Sequence, residues 1–195
     1  MTRIIPVAAT AAALALGALA GPAAANDYAP QIMSTYESQI KPWLSDPAVV
    51  EAIKAQNEQH AGLSDADIEG LDQQWRSEAK SGSGPLIDKV LSAALSKYLA
   101  DKKGAIGGVI TEMFIMDSRG LNVGQSDVTS DYMQGDEAKW QKTYGAGPDA
   151  VFVDEVEFDD STESFQSQVS GTVVDPATGE AIGAITIGIN IEELS

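Results

Sequence analysis

The 195 residues contain no cysteine, so disulfides, thiolate metal sites and a cysteine nucleophile are all excluded. There is one histidine, His60. No second histidine exists to build an HExxH or H-x-x-x-H site, and no Ser-His-Asp arrangement is suggested. Basic residues are scarce: 12 Lys and Arg stand against 29 Asp and Glu, for a formal net charge of −17. That balance repels nucleic-acid phosphates and anionic membrane surfaces, and favours cations and basic partners. After Leu19 no apolar run is long enough to span a bilayer. Hydrophobic residues still make up 44% of the chain, which supplies a real core and argues against wholesale disorder.

The first 25 residues read as a secretory signal. Arg3 gives a positive start, Ile4 to Leu19 is apolar, and Gly21-Pro22 breaks any helix. Ala23-Ala24-Ala25 then forms an A-x-A cleavage signature before Asn26. A retained membrane anchor is the competing reading, but the run is short and alanine-rich against the roughly 20 strongly apolar residues a span needs. Cleavage would leave a protein without stable membrane insertion. The alanine-rich signal suggests a bacterial periplasm.

Tyr28 to Lys41 has helical spacing, with Ile32, Met33, Tyr36 and Ile40 on one stripe, and Pro42 stops it. Asp46 followed by Pro47 is a helix start. Ser64-Asp65-Ala66-Asp67 is a capping-box start, followed by Ile68, Leu71, Trp75 and Ala79. Ser81-Gly82-Ser83-Gly84 marks a break. From Pro85, Leu86, Ile87, Val90, Leu91, Ala94, Leu95, Tyr98 and Leu99 predict one long helix that Gly104 closes. This suggests a helical segment over 26–84 and a second unit over 85–195.

The period changes after Ala105. Met113 to Met116 predicts a strand, Asp117-Ser118-Arg119-Gly120 a hairpin turn, and Leu121 to Gly124 a second strand. Asp136 to Tyr144 predicts a short helix capped by Asp136. Three further strands follow, at 151–158, 165–174 and 181–191, the last two flanking the turn Asp175-Pro176-Ala177-Thr178-Gly179. Helices first, then a contiguous antiparallel meander, define an α+β fold rather than a doubly wound sheet.

These residues, in this order, resemble the Cache family of extracellular sensor domains, which has a PAS-like fold. The closing hairpin carries most of the likeness: Asp175, Gly179, Ile182, Gly183, Ile187, Ile189 and Ile191 are similar to the family's D-x-x-(x)-G turn and its I-G-x-x-x-(I/V)-x-I-x-(I/L) strand. Phe114-Ile115-Met116-Asp117-Ser118-Arg119-Gly120 is similar to its opening F-(V/I)-x-D-x-x-G. The resemblance covers roughly residues 85–194 and implies N-terminal helices packed on about five antiparallel strands. It also implies a small ligand held between the sheet and the segment crossing it: an amine, an amino acid or a small carboxylate. The corresponding residues here are Asp127, Tyr132, Asp136, Trp140 and Tyr144. The segment lacks the family's ligand-clamping arginine and offers Lys139 and Lys142 instead, while its acids beside aromatics suit a cationic or amine ligand through ion pairing and cation–π contact. Typical members lie between two membrane helices, so a standalone periplasmic member would act on a separate membrane sensor kinase or chemoreceptor. Pairing of two copies through the N-terminal helices is also implied by the likeness.

No catalytic residues and no cofactor are indicated. His60 sits where a helix C-terminus favours positive charge. Asp127, Asp131, Asp136 and Glu137, and likewise Asp159, Asp160 and Glu163, are oxygen-rich loops without the spacing of a calcium loop. Two other readings keep the fold: a protein–protein interaction module whose acidic face docks a basic surface, and a calcium-stabilised binding domain.

Overall fold

The computed structural model describes residues 26–159 and 164–194. The expected signal segment and the acidic residues Asp160 and Glu163 lie outside the described residues. Among the described residues no helix is long and apolar enough to cross a membrane.

The helical half follows its start signals closely. Helix α2 (Pro47–His60) begins where the Asp46 side chain accepts from the Ala48 N–H, with Pro47 spending no donor. Helix α3 (Asp65–Ser81) carries the full capping box, Ser64 and Asp67 each accepting from the other's backbone N–H. The first helix is shorter than its stripe predicts. Helix α1 (Ala29–Thr35) opens into a π-helical turn (Tyr36–Ile40) and a 3-10 turn (Lys41–Trp43). Pro42 has no N–H for the α register, so the chain widens before it stops.

The long helix expected from Pro85 is two helices, α4 (Pro85–Ser92) and α5 (Ala94–Ile106). Ala93 breaks it in extended conformation, and the Ser96 hydroxyl, buried, donates to the freed Val90 carbonyl at 2.6 Å. The break divides one wide apolar face between two cores. Leu86, Ile87 and Val90 pack with Ile68 and Trp75 of α3, whereas Leu95 and Leu99 turn to the sheet. Gly104 does not close α5, which runs two residues further to a cap at Gly107 with φ +84°.

Five antiparallel strands follow: β1 (Ile110–Met116), β2 (Asn122–Gln125), β3 (Val151–Asp159), β4 (Ser164–Val174) and β5 (Ala181–Asn190). Their spatial order is β2-β1-β5-β4-β3. The architecture is therefore α+β, N-terminal helices on a five-stranded antiparallel sheet of the PAS/Cache-like kind. In the β1–β2 turn, Gly120 holds φ +79°, which the hairpin needs and a side chain resists.

One face of the sheet is the core. Met113, Ile115, Val169, Val173, Ile185, Ile187 and Ile189 meet Ile32, Tyr36, Ile40, Val49, Ile53, Leu95 and Leu99 of the helices. Each such side chain contributes on the order of 1.5–3 kcal/mol by leaving water. The other face carries Phe114, Met116, Ala184 and a run of polar side chains. Residues 126–150 cross that face between β2 and β3 and contain only the short helix α6 (Ala138–Gln141). Asp136 does not cap α6; Glu137 precedes it without a side-chain cap bond.

Candidate ligand-binding site

Two irregularities aim polar groups at the second sheet face. Register slips in β1 between Ile110 and Glu112, and a bulge of this kind re-aims side chains. Thr111 and Glu112 then both reach over β5, where Thr111 donates to Gln166 Oε1 and Gln168 Nε2 donates to Glu112 Oε1 at 2.9 Å. Between them on β5 lies Gly188, register partner of both Glu112 and Gln168. A Cβ there would collide with Thr111, Gln166 and Glu112, so the absent side chain is what lets β1 and β4 meet above β5.

Above this floor is a cleft of about 640 Å³ beneath the crossing segment. Its sheet side is Glu112, Phe114 and Gln168; its roof is Thr129, Gln134 and Lys139. The volume lies within the roughly 300–1,000 Å³ of small-molecule sites. A smaller space of about 200 Å³, toward β3, shares Lys139, Asp159 and Gln168.

The charges in the cleft are unevenly satisfied. Lys139 Nζ lies 3.0 Å from Glu137 Oε2, 3.4 Å from Gln134 Oε1 and 5.4 Å above the Phe114 ring. Glu112 is half-buried, and its Oε1 accepts from the Gln168 amide. Burial pushes its carboxyl above the ordinary value; the Gln168 amide and Lys139 pull it back, and Asp159 and Asp127 push it further up. The half-desolvated Glu112 carboxylate is the group in the cleft that suits a positively charged ligand, and the Lys139 ammonium over Phe114 is the one that suits a negative charge.

The residues expected from sequence are placed in several positions. Trp140 and Tyr144 come together, ring centroids 5.0 Å apart, and pack on Phe114, Met116 and Ala184 beside the cleft. The Trp140 indole donates to the Asp117 carbonyl at 3.1 Å. Tyr132 is buried and stacked on Trp75 at 5.4 Å, and burial raises its phenol. Asp127 takes Lys103 Nζ at 2.6 Å. Asp136 is exposed on the outer side of the crossing segment.

Sequence reasoning did not pick out Glu112, Phe114, Thr129 and Gln168, which line this cleft. A signal existed in β4, where Gln166, Gln168 and Ser170 alternate with Ser167, Val169 and Gly171. Polar side chains at period two on a strand buried on both faces need polar company. The acids read as a calcium alternative are drawn to separate cations, Asp127 to Lys103, Asp131 to Arg76 and Glu137 to Lys139. Among the described residues no three His, Cys, Asp or Glu side chains gather to hold a metal ion.

No family model matches the chain, and no curated protein matches it. Solved structures are similar at low identity. The sensor domain of the V. cholerae histidine kinase DctB is 12% identical over 84% of this chain and 52% of its own, with a TM-score of 0.40. The ligand-binding domain of the Pseudomonas aeruginosa PAO1 amino-acid chemoreceptor PctC, in complex with GABA, is 17% identical over 87% and 63%, with a TM-score of 0.42. That of the Campylobacter jejuni chemoreceptor Tlp3, in complex with L-valine, is 12% identical over 85% and 64%, with a TM-score of 0.40. The chain spans between about half and just under two thirds of these structures' length. At such values they stand as similarities, and the fold rests on the sheet order and helix packing above.

Proposed function

We propose that this protein is a small-ligand-binding sensor domain whose ligand occupies the cleft between the second sheet face and residues 126–150. The observation that carries the reading is that cleft: about 640 Å³, with Glu112, Gln134, Lys139 and Gln168 converging beside Phe114. Convergent polar groups on an otherwise packed sheet face have no stabilising purpose that apolar residues would not serve better. The ligand carries an ammonium group, an amine or an amino acid, which pairs with Glu112. In an amino acid the carboxylate meets Lys139. Trp140 and Tyr144 close the end of the site by backing Phe114. The domain works outside the cytoplasm and reports to a separate membrane partner of the sensor-kinase or chemoreceptor type.

A thermal-shift and calorimetric panel of amino acids, GABA and simple amines tests this. A ligand present at 100 times its Kd adds about 2.7 kcal/mol to stability. Gly188→Val, which pushes Thr111, Gln166 and Glu112 out of place on the sheet side, and Glu112→Gln should each abolish or weaken the response. Lys139→Met should weaken amino acids while sparing amines. A panel without any stabiliser, or binding indifferent to Gly188→Val and Glu112→Gln, sinks the proposal.

A further inference from the structure

The outer side of the crossing segment forms a second cleft, of about 370 Å³, against α3. Its floor is apolar: Ile68 from α3, with Met133 and Trp140 from the crossing segment. Its rim is charged, and the charges do not balance. The lining carboxylates are Asp65, Glu69, Asp72 and Asp136, against two guanidinium groups, Arg76 and Arg119.

Both guanidinium groups already have partners. Arg76 Nε lies 2.7 Å from Asp72 and 2.9 Å from Asp131. Arg119 donates to the Leu63 carbonyl at 3.2 Å and reaches Asp65 at 3.4 Å. Asp72 is equally committed, since its other oxygen accepts the Tyr132 and Met133 N–H groups and pins α3 to the crossing segment. What remains is Glu69 on α3 and Asp136 on the crossing segment, both exposed and both lining the groove. Among the described residues Glu69 has only the neutral Gln73 amide as hydrogen-bond partner.

We propose that this groove docks a cationic segment of a partner protein, one that presents an apolar side chain between two basic residues. The apolar side chain seats on Ile68, Met133 and Trp140, and the basic residues meet Glu69 and Asp136. Charge complementarity selects this occupant: a neutral apolar segment would leave both carboxylates unmatched at the rim, and an acidic one would be repelled by a chain of net charge −17. The groove is separate from the sheet-side cleft. Among the described residues none lines both, although Trp140 on the groove floor also packs with Phe114, and docking does not depend on the ligand reading.

The test uses three capped pentapeptides, Ac-Gly-Lys-Leu-Lys-Gly-NH2 and its Glu-Leu-Glu and Lys-Ser-Lys counterparts, titrated into the isotope-labelled protein. The Trp140 indole N–H and the Met133 and Ile68 methyls are the probes. The Lys-Leu-Lys peptide should shift them saturably, the Glu-Leu-Glu peptide should not, and the Lys-Ser-Lys peptide should bind about tenfold more weakly. Glu69→Gln with Asp136→Asn, both at exposed positions, should weaken Lys-Leu-Lys binding roughly threefold to tenfold. Equal binding of Lys-Leu-Lys and Lys-Ser-Lys would mean diffuse charge attraction and overturn the proposal. So would shifts confined to other surfaces, no shift at all, or an affinity unchanged in the double variant. Binding of Nα-acetyl-lysine methylamide as tight as that of the pentapeptide would also overturn it, by showing a single-cation pocket.

Discussion

Asp117 is fully buried, yet it accepts four hydrogen bonds. One oxygen takes the Arg119 and Leu121 N–H groups, at 2.8 and 3.0 Å; the other takes Gln56 Nε2 at 2.9 Å and meets His60 Nδ1 at 2.7 Å. Its carbonyl accepts from Trp140. One residue thus ties α2, the β1–β2 turn and the crossing segment. Removing one partner from such a buried network leaves the others unpaired, so Asp117→Ala should cost about 3–5 kcal/mol, read as a lower urea midpoint. Glu112 behaves in the opposite sense. Its folded carboxyl titrates above its unfolded value, so the ionised form is penalised in the folded state. That penalty is absent below the unfolded pKa, near 4.3, and complete above the folded one. Glu112→Gln should therefore raise the melting temperature at pH 7, and the gain should fade toward pH 4. A gain that persists unchanged in acid would refute the assignment. The first residue was legible as a turn aspartate but not as a hub, because Gln56 and His60 lie 61 and 57 positions away.

At the scale of elements, what was legible was local. Asp46-Pro47 and the Ser64–Asp67 box announce their helices because the cap bonds span only two or three residues. The break at Ala93 was not legible. No proline or glycine marks it, and its cause is Ser96, whose hydroxyl donates to Val90 and accepts from the Gln125 N–H at 3.0 Å. Ser96→Ala would strand that buried strand amide, at a cost of about 1–3 kcal/mol. Hydrogen exchange should show protection at Gln125 falling more than at the neighbouring β2 amides. The start of α4 depends on a residue that sequence spacing does not connect to it: the buried Glu78 carboxylate accepts the Leu86 and Ile87 N–H groups, both at 2.9 Å. Burial raises this carboxyl, but those two bonds and one from Gln74 together hold it below the usual range. It therefore adds stability above its unfolded pKa, and that stability is lost as pH falls through the lower folded value. Glu78→Gln should shrink the difference in melting temperature between pH 6 and pH 3.

Across the whole molecule, the order of elements and the helix-facing half of the sheet were readable from period and turn chemistry. The closing hairpin keeps the expected strands and turn, with Gly179 at φ +76°. The second sheet face was not readable, because the cleft depends on a bulge in β1, a glycine in β5 and a glutamine in β4 that only the strand order brings together. The aromatic pair Trp140 and Tyr144 was visible as a pair, whereas Tyr132 looked equally available and is spent on stacking with Trp75.

The crossing segment has one structural property with a thermodynamic result. Gln134 and Lys139 face the sheet-side cleft, while Met133, Asp136 and Trp140 face the outer groove. Eight consecutive residues thus form a partition with a cavity on each side. If an occupant on one side favours one position of the partition, it alters affinity on the other side by some factor, and linkage requires the reverse factor to be the same. Typical couplings of this kind amount to roughly 5–150-fold. Titrating the Lys-Leu-Lys peptide with and without a saturating amine or amino-acid hit, then the hit with and without the peptide, should return equal ratios different from one. Such a partition would transmit a signal without α1 to α5 moving, since what passes through it is a shared equilibrium.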